Sequence, residues 1–125
     1  MLNRLKLSPL GHTWLLDLDG TIVKHNGYKL DGHDTLLEGV SEFLSSIPER
    51  DMVVFITSRT EDCRKMTESF LRANGIRYNY IIFNAPYGER ILVNDRKPSG
   101  LDTAIAVNTE RDRFGGIELE VDEGL

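Results

Sequence analysis

Short apolar runs with strand composition alternate along this chain with amphipathic helical patterns, which predicts an α/β domain of three layers built on a mainly parallel sheet. Three runs carry that expectation: Thr13-Trp14-Leu15-Leu16-Asp17, Asp51-Met52-Val53-Val54-Phe55-Ile56-Thr57 and Ile91-Leu92-Val93-Asn94-Asp95. Each is apolar through its length and ends in polar side chains. In parallel sheets the functional groups gather at the carboxyl ends of the strands, so these three ends are expected to converge.

Taken in order, Thr13 to Asp17 is the first strand. The stretch Val23 to Leu30 places Asn26-Gly27 between short strand-like flanks, which reads as a small β-hairpin. From Leu36 to Ile47, apolar residues recur every three or four positions, giving an amphipathic helix that Pro48 closes. Asp51 to Thr57 is apolar enough to be buried on both faces. A second helix runs from about Glu61 to Ala73, with Asn74-Gly75 as its stop signal. Tyr80 to Phe83 and Arg90 to Val93 supply two short strands, and Thr103 to Val107 a candidate fifth. The tail from Gly115 to Asp122 alternates apolar and acidic residues, as a terminal edge strand or a dimer contact would. There is no internal repeat, low-complexity tract or linker, so residues 1–125 are expected to form one domain.

The chain has 125 residues, 40% hydrophobic and 28% charged, enough to bury a real core. Lys and Arg number 15 against 20 Asp and Glu, a net charge of -5. That balance disfavours nonspecific binding to nucleic-acid backbone or to anionic membrane. No apolar run approaches the roughly 20 residues of a membrane span, and Met1-Leu2-Asn3-Arg4-Leu5-Lys6 leads into no signal-peptide core, so a cytoplasmic location is expected. The single cysteine, Cys63, fits a reducing compartment and has no nearby His to activate it.

Chemistry concentrates at Asp17-Leu18-Asp19-Gly20-Thr21. Residues i and i+2 of a strand share a face, so the two carboxylates emerge side by side where the strand ends, and Gly20 lets the backbone turn away. Adjacent carboxylates repel unless a cation sits nearby, and a hard divalent ion, Mg²⁺, is the natural partner. An ordinary Asp-Gly turn would need no such ion. Asp95 would complete an oxygen-only site with Asp17, the backbone carbonyl of Asp19 and water. At the second strand end, the Thr57 hydroxyl and a backbone N–H near a helix start suit phosphoryl oxygens, with Ser58 next in line; Thr57 or Thr60 would otherwise cap that helix. Arg59 would neutralise a substrate charge or pair with a surface carboxylate. His12 and His33 have no metal-ligand partners at useful spacing.

The five residues from Asp17 to Thr21 resemble the first motif of the haloacid-dehalogenase-like phosphatase superfamily, whose domain is Rossmann-like. The resemblance implies Asp17 as nucleophile, Asp19 as general acid/base, and a Mg²⁺-dependent phosphomonoester hydrolase working through an aspartyl-phosphate. Ile56-Thr57-Ser58-Arg59 has the form of the second motif, and Asn94-Asp95 resembles the fourth with its first residue changed. The implied metal set is Asp17, Asp19 and Asp95. The family's lysine is missing: Phe83-Asn84-Ala85-Pro86 has Ala85 at its place, which leaves Lys97 as the first substitute, then Arg90 and Arg59. Thirty-eight positions separate Asp19 from Thr57, and as many separate Thr57 from Asp95, leaving no room for a cap domain, so the chain is similar to the capless branch with a small flap. Flap residues His25, Tyr28 and Lys29 are candidates for substrate contact. An open site implies a large substrate, such as a phosphorylated macromolecule or glycan precursor, or cover from a neighbouring subunit in a homo-oligomer. The segment Lys97 to Ala104 resembles one in small bacterial phosphatases of surface-sugar biosynthesis, which favours a sugar phosphate. Two rivals remain: a receiver-type phospho-acceptor module, and a catalytically impaired scaffold, which Ala85 favours.

Overall fold

The computed structural model describes residues 3–125. Its strands are β1 (Asn3–Leu7), β2 (Thr13–Asp17), β3 (Met52–Ile56), β4 (Tyr80–Ile82) and β5 (Ile117–Val121). Three α-helices, α1 (Gly27–Leu30), α2 (Val40–Ser46) and α3 (Arg64–Ala73), and one 3₁₀ turn, Glu61–Cys63, complete the regular structure. Every ladder is parallel. The strands β2, β3 and β4 form one sheet in that order, and β1 pairs with β5 in a separate ribbon.

Register sorts the three-stranded sheet into two faces. Trp14, Leu16, Val53, Phe55 and Ile81 share the first and pack with Val40 and Phe43 of α2 and Leu71 of α3. The Trp14 and Phe43 rings meet edge to face at 5.4 Å between centroids, and Phe43 also touches Phe114 at 5.1 Å. The second face carries Leu15, Met52, Val54, Ile56, Tyr80 and Ile82. No helix covers it: Leu15, Met52, Tyr80 and Ile82 are all exposed. The expected α/β class with parallel strands is present, but among the described residues no third layer forms, because α2 and α3 both pack on the same face.

The first strand, the central strand, the third strand and the terminal edge strand fall close to the residues the sequence indicated. The helix expected from Leu36 starts at Val40, because Gly39 takes a left-handed φ of 84° and Leu36 bridges Val23 instead. The helix expected from Glu61 opens as a 3₁₀ turn and continues as α3 to Ala73, with Gly75 at φ 67° after it. Three expectations fail. Asn26-Gly27 is not a hairpin turn: Asn26, at φ 54°, precedes the single-turn helix α1. Arg90 to Val93 is not a strand, and neither is Thr103 to Val107. Ile91, Leu92 and Val93 are 85, 52 and 88% exposed, so their strand composition finds no sheet to join.

Candidate functional site

The site is built around the turn that follows β2. The carbonyl of Leu18 accepts hydrogen bonds from the N–H groups of Thr21, Ile22 and Val23 at 3.1, 2.9 and 3.1 Å, and Gly20 N–H reaches the Val23 carbonyl at 2.7 Å. Leu18, Ile22 and Val23 are buried, which roots the turn in the core. Gly20 sits at φ 85°, which strains any residue with a Cβ, and a Cβ there would lie 3.2 Å from Cγ of Arg111, which would have to shift slightly. Asp17 and Asp19 are thereby held at the carboxyl end of a parallel strand.

Each carboxylate has its own arginine. One Asp17 oxygen accepts a hydrogen bond from Arg90 Nη1 at 2.9 Å, and the other accepts one from the Thr21 hydroxyl at 3.0 Å. Arg90 also reaches Ser58 Oγ at 3.4 Å. Both partners of this ion pair are about one-third exposed, so it is easily exchanged and contributes less than about 1 kcal/mol.

Asp19 is held differently. Arg59 binds it with two bonds, Nε to Oδ2 at 2.9 Å and Nη2 to Oδ1 at 3.0 Å. The same guanidinium donates to both oxygens of Asp34, at 3.1 and 2.7 Å, and to the Thr67 hydroxyl at 2.9 Å. Its plane stacks on the Tyr28 ring at 4.2 Å. Arg59, Asp34 and Thr67 are buried. Burial by itself would lower the arginine's pKa, but the hydrogen bonds and charges of Asp19 and Asp34 outweigh it and raise it above its usual value. Burial, followed by the charge of Cys63, pushes the Tyr28 hydroxyl above its usual value.

The other expected residues are distributed unevenly. Thr57 is almost wholly buried, and its hydroxyl accepts the Arg59 N–H at 3.0 Å while its own N–H bonds the Ile82 carbonyl at 2.9 Å. It braces the Arg59 turn and does not face the open side. Ser58 donates to the Pro86 carbonyl at 3.3 Å and lies beside Arg90, close to Asp17. Thr60 precedes the 3₁₀ turn without a side-chain capping bond. Tyr28 reaches the site by stacking on Arg59.

Asp95 and Lys97 are not brought in. The Asp95 carbonyl accepts the Thr103 hydroxyl, and Lys97 closes a short turn through its N–H to the Leu101 carbonyl at 2.9 Å. Among the described residues, Lys97 forms no ion pair; the cation on Asp17 is Arg90. A groove of about 420 Å³ in the same segment is lined by Asn94, Arg96, Asp102, Thr103 and Ala104, and includes neither Asp17 nor Asp19.

The Asp17 and Asp19 carboxylates expected around Mg²⁺ are engaged by other partners. Among the described residues no three His, Cys, Asp or Glu side chains cluster as a metal site, and all four oxygens of Asp17 and Asp19 already accept hydrogen bonds from Arg90, Thr21 and Arg59. The set Asp17, Asp19 and Asp95 is therefore not assembled in this arrangement.

No family model, curated protein or solved structure matches the chain. Among the described residues no helix is long and apolar enough to cross a membrane. Asp34 and Thr67 went unnoticed in the sequence because neither belongs to a motif; an acid four residues beyond Leu30, next to His33, gives no sign that it will be buried.

Proposed function

We propose that this chain is a phosphomonoester hydrolase of the haloacid-dehalogenase-like kind, with Asp17 as nucleophile. The observation that carries the reading is the placement of Asp17: a partly exposed carboxylate at the carboxyl end of a parallel strand, oriented by Thr21 and accompanied by a cation, Arg90. An Asp17 oxygen attacks phosphorus, the bond from phosphorus to the leaving oxygen breaks, and the leaving oxygen takes a proton. Water then cleaves the aspartyl-phosphate, releasing phosphate and restoring the carboxylate. Arg90 is placed to follow the phosphoryl oxygens as they arrive, since its bond to Asp17 is exposed and exchangeable. Asp19 carries the proton in this scheme, which requires at least one of its bonds to Arg59 to be released. No step here is routed through a metal. The one-third exposure of the Asp17 side chain suits a phosphate protruding from a larger body, such as a sugar phosphate or glycan precursor.

The second reading, a catalytically impaired scaffold, is favoured by the engagement of every oxygen of both carboxylates. Release of inorganic phosphate from an aryl phosphate and a panel of sugar phosphates separates the two. Turnover in the parent and its loss in Asp17→Asn, with an unchanged circular dichroism spectrum, supports the hydrolase. Equal turnover in Asp17→Asn refutes Asp17 as nucleophile, and no turnover by the parent on any substrate favours the scaffold.

A further inference from the structure

Arg59 serves two carboxylates at once, and the two are not held alike. Among the described residues its Nε donates to Asp19 alone and its Nη1 to Asp34 and Thr67, while Nη2 is shared between Asp19 at 3.0 Å and Asp34 at 2.7 Å. The Arg59 and Asp34 side chains are each 2% exposed, whereas that of Asp19 is 18% exposed. The inner carboxylate is sealed in, and the outer one reaches water.

Arg59 is also fixed from behind. Its guanidinium stacks on the Tyr28 ring at 4.2 Å, and its backbone N–H donates to the Thr57 hydroxyl at 3.0 Å. When Asp19 lets go, the bonds to Asp34 and Thr67 and the stack on Tyr28 remain. What remains is electrically neutral: a buried guanidinium without a carboxylate is strongly disfavoured, but one paired with Asp34 is not. The hydrolase reading needs such a release, because Asp19 cannot hand a proton to the leaving oxygen while both its oxygens accept from Arg59.

We propose that Asp34 is a positioning residue for that reaction: it holds Arg59 in a neutral buried pair, so that Asp19 can break its two bonds to the guanidinium and turn to the phosphoryl group on Asp17. The inference rests on the hydrolase reading and adds to it the residue that frees the proton carrier. As the bond from phosphorus to the leaving oxygen breaks, that oxygen keeps the electron pair and takes the proton of Asp19. The water that cleaves the aspartyl-phosphate later returns one. Asp34 acts only through Arg59. With Asp34→Asn the buried cation has Asp19 as its sole carboxylate partner, and release of Asp19 strands it.

The test compares kcat/KM for the alkyl phosphate that the parent hydrolyses best, whose alkoxide needs a proton to leave, with that for dinitrophenyl phosphate, whose phenolate leaves without one. Asp34→Asn should lower the first by on the order of 10²-fold, the effect of a lost proton donor, and leave the second within about threefold of the parent. Thr67→Val loosens the same cluster but keeps both carboxylates, so it should change the two substrates by one common factor. An equal loss on both substrates in Asp34→Asn, or as large a split in Thr67→Val, overturns the inference while the hydrolase reading stands. A parent that hydrolyses no phosphate ester overturns that reading, and this inference falls with it. The parent offers a second readout that does not require Asp34→Asn to fold. With orthovanadate at a concentration that inhibits turnover, proton NMR of the Arg59 side chain should show Nε–H exchanging with water on the order of tenfold faster, with the Nη1 protons still protected by Asp34 and Thr67. Unchanged Nε–H exchange, or loss of protection at both nitrogens, overturns the proposal.

Discussion

Truncating Arg59 to alanine is the most severe test of how the site is held. The guanidinium makes five side-chain hydrogen bonds, two to Asp19, two to Asp34 and one to Thr67. Its side chain and that of Asp34 are each 2% exposed. Removing one partner of a buried ion pair leaves the other charge desolvated, a cost of about 3–5 kcal/mol. Against a net stability of about 5–15 kcal/mol for a domain this size, Arg59→Ala approaches global unfolding. Asp19 is less buried, at 18% side-chain exposure, and recovers part of its hydration from water. Most of the loss therefore belongs to Asp34. Urea denaturation should show the midpoint falling with an unchanged slope. Arg59→Lys should recover only part of the loss, because an ammonium cannot match two bidentate carboxylates at once. The double variant Arg59→Met with Asp34→Leu should be more stable than Arg59→Ala, since it removes the stranded charge. A loss below about 1 kcal/mol in Arg59→Ala would refute the view that this buried pair organises the turn.

Three further outcomes follow from the same contacts. If phosphate is released, Arg90→Ala should raise KM or lower kcat more than Lys97→Ala does; the reverse order in steady-state assays would return the cationic role to Lys97. Asp51 is buried and accepts from the His12 N–H and the Trp14 indole, each at 3.0 Å, so Asp51→Ala should destabilise by about 1–3 kcal/mol in thermal or urea unfolding, with near-normal stability counting against it. The hydrogen bond from Lys24 holds the Asp31 carboxyl below its usual pKa, so its small contribution to stability is present above the unfolded-state pKa and fades as pH falls through the folded value; carbon-detected titration should place Asp31 low in the parent and return it to the ordinary range in Lys24→Ala.

The legible parts of the sequence were those fixed by local pattern. Met52–Ile56 and the α3 register follow from apolar spacing, and the Asp17 to Thr21 turn from two acids and a glycine. Arg59 and Asp19 stand out in the sequence, but the second carboxylate on Arg59 does not, because Asp34 becomes a partner only when distant segments meet. The misread parts share one cause. Ile91-Leu92-Val93 has the composition of a buried strand, but a strand exists only where another offers its edge, and composition cannot state whether that pairing is made. Asn26-Gly27 has hairpin chemistry, and its flanks decide otherwise: Val23 bridges to Leu36 rather than to the residues just after the turn. Lys97 was favoured for its nearness in sequence to Asp95, while Arg90 reached Asp17 across 73 positions.

The β1 and β5 ribbon joins residues more than a hundred positions apart, Asn3 beside Ile117 and Leu7 beside Val121. Closing a loop of that length costs about 4 kcal/mol in chain entropy by its logarithmic dependence on length, before any ladder bond compensates. Two strands return little on their own, and the Arg4 to Glu118 pair at 3.4 Å is exposed. The ribbon should therefore form late, once the sheet around β3 has shortened the effective separation, and it should open first under mechanical or chemical load. During synthesis β1 emerges long before its partner exists. Its alternation of Arg4 and Lys6 with Leu5 and Leu7 keeps an unpaired strand charged on one side for that interval.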